Sequence, residues 1–130
     1  MALVNVVVAL ALLQFFAFAT AVGRARERFK VAAPATTGNE MFERYFRVQM
    51  NTLELLIMFV PAVWMFGFYV KASAAAGLGA IYLMGRCVYF YSYVRNPSKR
   101  SLGYALSGGP VAVLVIGALI GAVLAAIHAA

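Results

Sequence analysis

The sequence predicts an all-α membrane protein, a bundle of four transmembrane helices. Three observations carry that expectation. The chain is 65% hydrophobic and 12% charged, against roughly 45–50% and 25% in an ordinary soluble domain. A chain of 130 residues buries too small a share of its surface to hide that excess in one core. The eleven Lys and Arg also fall mainly in short clusters between long apolar runs, the layout of a chain threaded through a bilayer. The length is that of one domain, and residues 1–130 are expected to form a single one. A free soluble chain and a disordered one are both excluded.

The first span is residues 1–23, uncharged and broken only by Asn5, Gln14 and Thr20. It has the length of about 20 residues that crosses a bilayer. A cleavable signal peptide is the competing reading, but it requires a basic segment ahead of the apolar run, and here Arg24 follows it. A retained helix is therefore expected. The second span runs from Phe42 to Val70, with its polar residues in the first half. At 1.5 Å per residue it is about 43 Å long and projects beyond the bilayer core. The third, Ala72 to Val94, is interrupted by Arg86 and stops before Asn96-Pro97, because the residue before proline avoids the helical region. The fourth runs from Ser101 or Tyr104 to His128 without a charge, and Pro110 is expected near its start, where a missing N–H is tolerated. Gly117 and Gly121 form a GxxxG that either permits close helix packing or is chance in a glycine-rich span.

The connecting segments are unequal. Arg24, Arg26, Arg28 and Lys30 lie in segment 24–41, and Arg95, Lys99 and Arg100 in segment 95–100, whereas the 70–72 turn has Lys71 alone. With four spans the two basic segments share a side, which the positive-inside rule makes cytoplasmic, with both termini outside. The chain is thus expected to be an integral, multi-pass membrane protein, in the inner membrane if bacterial and the endoplasmic reticulum if eukaryotic.

Several classes of chemistry lack their parts. A net charge of +7 suggests nucleic acid only where the basic residues line a polar surface, so no nucleic-acid partner is expected. Cys87 and His128 are the only residues of their kinds and Asp is absent. That leaves no disulfide, no Ser-His-Asp triad and no expected metal site. Cys87 reads as a small buried apolar residue, and His128 as a solvated one.

Charged groups at membrane depth are costly and mark sites or pairs. Arg44, Arg47, Asn51 and Glu54 are spaced 3, 4 and 3 apart and form one stripe on a helix. Arg86, Tyr89 and Tyr93 form a second on the third span. One reading has Glu54 neutralising Arg86 while the arginines reach lipid phosphates. The other is a site for an anionic, hydrogen-bonding ligand, because arginine offers carboxylates a fixed fork of donors. Glu54 and Asn51 could accept from an ammonium or an amide.

The segment Phe42-Glu43-Arg44, continued as Arg47-x-Gln49-x-Asn51-x-x-Glu54, resembles the signature of the MAPEG family, the membrane-associated proteins in eicosanoid and glutathione metabolism. Arg26 with Phe29-Lys30-Val31, Pro34 and Thr36-Thr37-Gly38 is similar to the family's preceding segment. So is Gly85-Arg86 with Tyr89-Phe90, Tyr93, Arg95 and Arg100. The resemblance implies a four-helix subunit of a homotrimer, with glutathione bound between subunits near the cytosolic face. By position it implies that Arg26, Arg47, Gln49, Asn51, Glu54, Tyr89 and Tyr93 hold glutathione, and that Arg86 belongs to the same polar cluster. Arg100 would sit beside the sulfur as the catalytic residue, with Ser101 a secondary candidate. Glu27 stands where some members carry a second arginine, and Leu55 where an aromatic residue commonly follows the motif glutamate.

The expected function is therefore a membrane-bound glutathione transferase. It would use glutathione as co-substrate, without a metal, on hydrophobic electrophiles drawn from the bilayer and its lipids, with reduction of lipid hydroperoxides as a second activity. Two alternatives stand beside it. A small multidrug transporter also has four helices and one membrane glutamate, but carries that glutamate in its first helix, which is uncharged here. A non-catalytic lipid-binding member of the same family would have no use for Arg100.

Overall fold

The computed structural model describes residues 1–130 as four long helices. These are α1 (Ala2–Arg28), α2 (Glu40–Tyr69), α3 (Ala72–Arg95) and α4 (Ser101–Ala129), with a short 3-10 turn at Pro97–Lys99. All four are long and apolar enough to cross a membrane. Their outward faces carry large apolar side chains, among them Leu13, Phe16, Ile57, Phe68, Leu119 and Ile127, which water would not tolerate in such number. The protein is an integral, multi-pass membrane protein.

The helix ends follow from local chemistry. α1 continues past its apolar run through Arg28, since arginine is a good helix former wherever water is available. It closes with Lys30 in the left-handed region (φ 57°) and a hydrogen bond from Val31 N–H to the Arg26 carbonyl at 3.0 Å. That is a Schellman closure, and the apolar residue it brings round, Val31, is buried with Val22, Ala25 and Phe42. α2 begins where the Asn39 side chain accepts from Phe42 N–H at 3.0 Å, and Glu40 and Glu43 in its first turn complement the helix dipole. α3 ends at Arg95, and Asn96 is extended ahead of Pro97, the restriction expected before proline.

Pro110 departs from expectation. α4 starts at Ser101, so the proline lies well inside the helix and is buried there, without an N–H to give the Leu106 carbonyl four residues earlier. Cys87 also differs, being exposed on the flank of α3, where Gln14 Nε2 reaches its sulfur at 3.3 Å.

α2 and α3 form the inner pair, and α1 and α4 each pack on both of them rather than on one another. The main core gathers Val4, Val7, Phe59, Val63, Tyr82 and Leu114, with the Phe59 and Tyr82 rings stacked 3.9 Å apart. Two glycines set the α3–α4 crossing. A Cβ on Gly85 would lie 2.6 Å from the Leu106 and Ser107 backbone, and one on Gly103 would collide with the Tyr89 backbone. The GxxxG of α4 is used inside the chain: Gly117 receives the Phe66 ring, and Gly121 faces Tyr69 and Val70. The α3–α4 contact is the one that matters for the site, because it presses Ser107 and Tyr89 onto Arg86.

Candidate functional site

A cleft of about 260 Å³ opens where α2, α3 and the head of α4 meet. Asn51, Glu54, Leu55 and Met58 line it from α2, Arg86 and Tyr89 from α3, and Arg100 and Tyr104 from the start of α4. One turn after another of α2 supplies Asn51, Glu54 and Met58, the i, i+3, i+7 positions of a single face.

Behind the cleft is a sealed polar cluster. Arg86 is fully buried. Its guanidinium donates to Thr52 Oγ1 at 3.1 Å and to Ser107 Oγ at 2.9 Å, and lies 4.0 Å over the Tyr89 ring, a cation–π arrangement. Ser107 in turn donates to the Gly103 carbonyl at 2.7 Å. At the ring's hydroxyl, Asn51 Nδ2 donates to Tyr89 Oη at 2.6 Å. Tyr93 packs beside it with its ring tilted by 37°, the ring centres 5.5 Å apart. One guanidinium thus ties three helices together and fixes the tyrosine that faces the cleft.

Glu54 does not pair with Arg86. The chain's one ion pair is Arg44–Glu40 at 2.7 Å, and Glu54 is exposed without a partner. The reason is helical geometry: Thr52 and Glu54 are two residues apart, about 200° around the helix, so only one can point at the buried guanidinium. The alcohol does so, and the carboxylate is left at the mouth of the cleft. Its i−3 neighbour Asn51 and the Arg100 side chain share that mouth. Arg100 is exposed, with one nitrogen donating to the Pro97 carbonyl at 2.9 Å.

Asn51, Glu54, Arg86, Tyr89 and Arg100, all singled out from the sequence, therefore meet in one place. The others do not line it. Arg26 lies over the Phe42 ring at 4.7 Å and donates to the Val31 and Ala35 carbonyls at 3.3 and 2.7 Å, holding the segment after α1. Arg44 donates to the Val94 and Arg95 carbonyls at 3.0 and 3.1 Å, closing the end of α3. Arg47 and Ser101 are exposed, and Gln49 is half-buried away from the cleft. Thr52, Ser107 and Met58 were not legible as site residues. The available signal for the first two was that a membrane-buried Arg86 needs acceptors from its neighbours.

Chemically the cleft offers both signs. Arg100 can donate a fork of charged hydrogen bonds to an anion, Glu54 can accept from a cation, and the Tyr89 hydroxyl, with the Asn51 amide beside it, can do either. Such a set suits a zwitterionic, hydrogen-bonding ligand.

Residues 3–120 match the MAPEG family. Among curated proteins the chain is 46% identical over 114 residues to the uncharacterized protein sll1147 of Synechocystis sp., covering 88% of this chain and 83% of the relative. It is 44% identical over 103 residues to human microsomal glutathione S-transferase 2, covering 78% and 70%. It is 40% identical over 83 residues to guinea-pig (Cavia porcellus) leukotriene C4 synthase, covering 64% and 55%.

Proposed function

Since the chain belongs to the MAPEG family, we propose that it is a membrane-bound glutathione transferase acting on hydrophobic electrophiles that partition into the bilayer. The observation that carries this reading is the convergence of Glu54, Asn51, Tyr89 and Arg100 from three helices on one cleft. Glutathione is a zwitterion with an ammonium, two carboxylates and a thiol. Glu54 accepts from the ammonium, and Asn51 with Tyr89 and Tyr93 orients the peptide. Arg100 is the catalytic residue. A thiol with a pKa of about 8.5 is only a few per cent ionised at pH 7, and a guanidinium within hydrogen-bond reach favours the thiolate. The thiolate attacks the electrophilic carbon and forms the C–S bond, while the leaving group departs with its electron pair. With a lipid hydroperoxide the same thiolate attacks oxygen instead, and a second glutathione completes reduction to the alcohol, water and glutathione disulfide.

A cleft of about 260 Å³ is smaller than the roughly 300–1,000 Å³ usual for a ligand pocket. An exposed, unpaired Glu54 within a membrane-spanning helix also calls for a partner from outside the chain. A homotrimer supplies both: a neighbouring copy closes the cleft, and its Arg26, Arg47 and Gln49, which lie outside this cleft, complete the set that holds glutathione. Ser101, next to Arg100, is a secondary thiol-side donor. The basic segments and the cleft face the cytoplasm. Labelling of cysteines placed at residues 36 and 98 from the external side would contradict that orientation, and a detergent-corrected mass of one or two chains would contradict the trimer.

The deciding experiment combines turnover of a chromogenic electrophile with the ultraviolet absorbance of the bound thiolate. The wild-type protein is expected to show both. Arg100→Ala is expected to retain glutathione binding but to lose most of the thiolate band at pH 7 and at least tenfold in kcat. A normal band and rate in that variant would remove Arg100 from the mechanism.

A further inference from the structure

A guanidinium sealed inside a membrane bundle is costly unless paired, and Arg86 is 0% exposed with no carboxylate bonded to it. Two of its nitrogens are taken by Thr52 and Ser107, and its Nε has no partner. Arg86 thus contributes to the wall of the cleft but presents no exposed surface to a ligand there. An apolar side chain of similar volume could fill the space at less cost. What the guanidinium adds is a fixed positive charge and a platform for Tyr89.

We propose that Arg86 is a positioning residue that acts on bound glutathione without touching it, holding the Tyr89 ring for the ligand and lowering the thiol's pKa through its field. This rests on the glutathione reading of the cleft. The groups around Arg86 are Thr52 from α2, Tyr82 and Tyr89 from α3, and Tyr104 and Ser107 from the head of α4, while Glu54 and Arg100 line the same cleft. Among the charged ones, Glu54 opposes a thiolate and Arg100 supports it, but both are exposed and are screened by salt. Arg86 is walled off by protein, where charge acts over longer distance and salt does not reach. The site thus has two cations of different kinds: Arg100 in contact with the sulfur and dependent on ionic strength, and Arg86 behind the tyrosine and independent of it.

Titrating the thiolate absorbance of bound glutathione against pH, at low and high salt, separates the two. Arg86→Met is expected to raise the apparent thiol pKa by at least one unit, a tenfold loss of thiolate at any pH well below it. Arg86→Lys is expected to restore most of that shift, a rescue that a space-filling role would not require. Should Arg86→Met fail to fold, Arg100→Ala carries the test. Its bound thiol is expected to keep a pKa below that of free glutathione, unchanged between low and high salt. A wild-type pKa in Arg86→Met, or a pKa equal to that of free glutathione in Arg100→Ala, overturns the role. A wild-type protein without any depressed thiol pKa would instead overturn the glutathione reading, and this proposal with it.

Discussion

Two of the arginine-bearing hollows in this bundle are built on different principles. The larger, about 610 Å³, lies between α1, α2 and α3. Its walls are alanines with Phe29, Tyr45 and Phe90, and its charge is that of Arg24 and Arg28. Both are exposed, neither is paired with a carboxylate, and Arg28 rests over the Phe29 ring at 5.3 Å. The smaller hollow, the α2–α3–α4 cleft, has less than half that volume. It nevertheless presents an acid, a base and hydroxyls, and a buried hydrogen-bonded cluster stands behind them. Volume reports where helices splay; convergent groups of both signs, fixed from behind, report where a zwitterion can be recognised. The arginines of the groove have the character of residues that extend along their stems to lipid phosphates.

Matched glycine substitutions give the largest contrast between these two sides. Gly103→Ala places a methyl group against the Tyr89 backbone, so α3 and α4 must separate where they build the cleft. Overpacking of this kind costs about 1–3 kcal/mol, and the displaced Tyr89 is expected to weaken glutathione binding as well. Gly23→Ala, on α1 beside the groove, meets nothing within 4 Å and is expected to gain about 0.5–1 kcal/mol from helix propensity alone. Thermal unfolding in detergent should therefore move in opposite directions for the two variants. Equal shifts would mean that the α3–α4 crossing yields more easily than its backbone contact implies.

A smaller effect is expected at the start of α2. Replacing Asn39 by Ala removes the acceptor for Phe42 N–H and should cost about 1 kcal/mol. Phe42 belongs to the cluster that closes α1, with Val22, Ala25 and Val31, so the loss falls on the groove side. Turnover per folded molecule should stay at the wild-type value. A change in the KM for glutathione would show that the segment before α2 communicates with the cleft.

The four helices were legible because apolar runs of about 20 residues have few other uses, and because Asn96-Pro97 marks a stop. The end of α1 was less so: hydropathy falls at Gly23, where the apolar stretch ends, whereas the helix runs on to Arg28. Spacing identified Asn51, Glu54, Arg86 and Tyr89 as residues of shared faces, and all four line the cleft. It could not give the rotation of one helix against the next, which is why pairing of Glu54 with Arg86 stands as one of two readings of the sequence, although Thr52 takes that position. Ser107 and Gly103 are small residues in an Ala- and Gly-rich helix, and nothing in their spacing separates them from their neighbours. Their importance arises from the α3–α4 crossing alone.

The smallest effect expected is the one that tests the comparison most directly. Arg24→Ala combined with Arg28→Ala strips the groove of both its cations. If the groove is only a lipid-facing hollow, kcat and the KM for glutathione should each change by less than about threefold, the scale on which exposed substitutions act. The two side chains are exposed, so their field at the cleft is screened beyond a Debye length of about 8 Å at physiological salt. The remaining effect should be seen on association with anionic vesicles, where each basic residue near the surface contributes about 1 kcal/mol, and it should vanish at high salt. A tenfold or greater loss of glutathione turnover in this double variant, matching that expected of Arg100→Ala, would mean that the groove is part of the catalytic site. The division between a chemical cleft and a lipid-facing groove would then be wrong, and in the assembled protein the two would have to lie against one another across a subunit boundary.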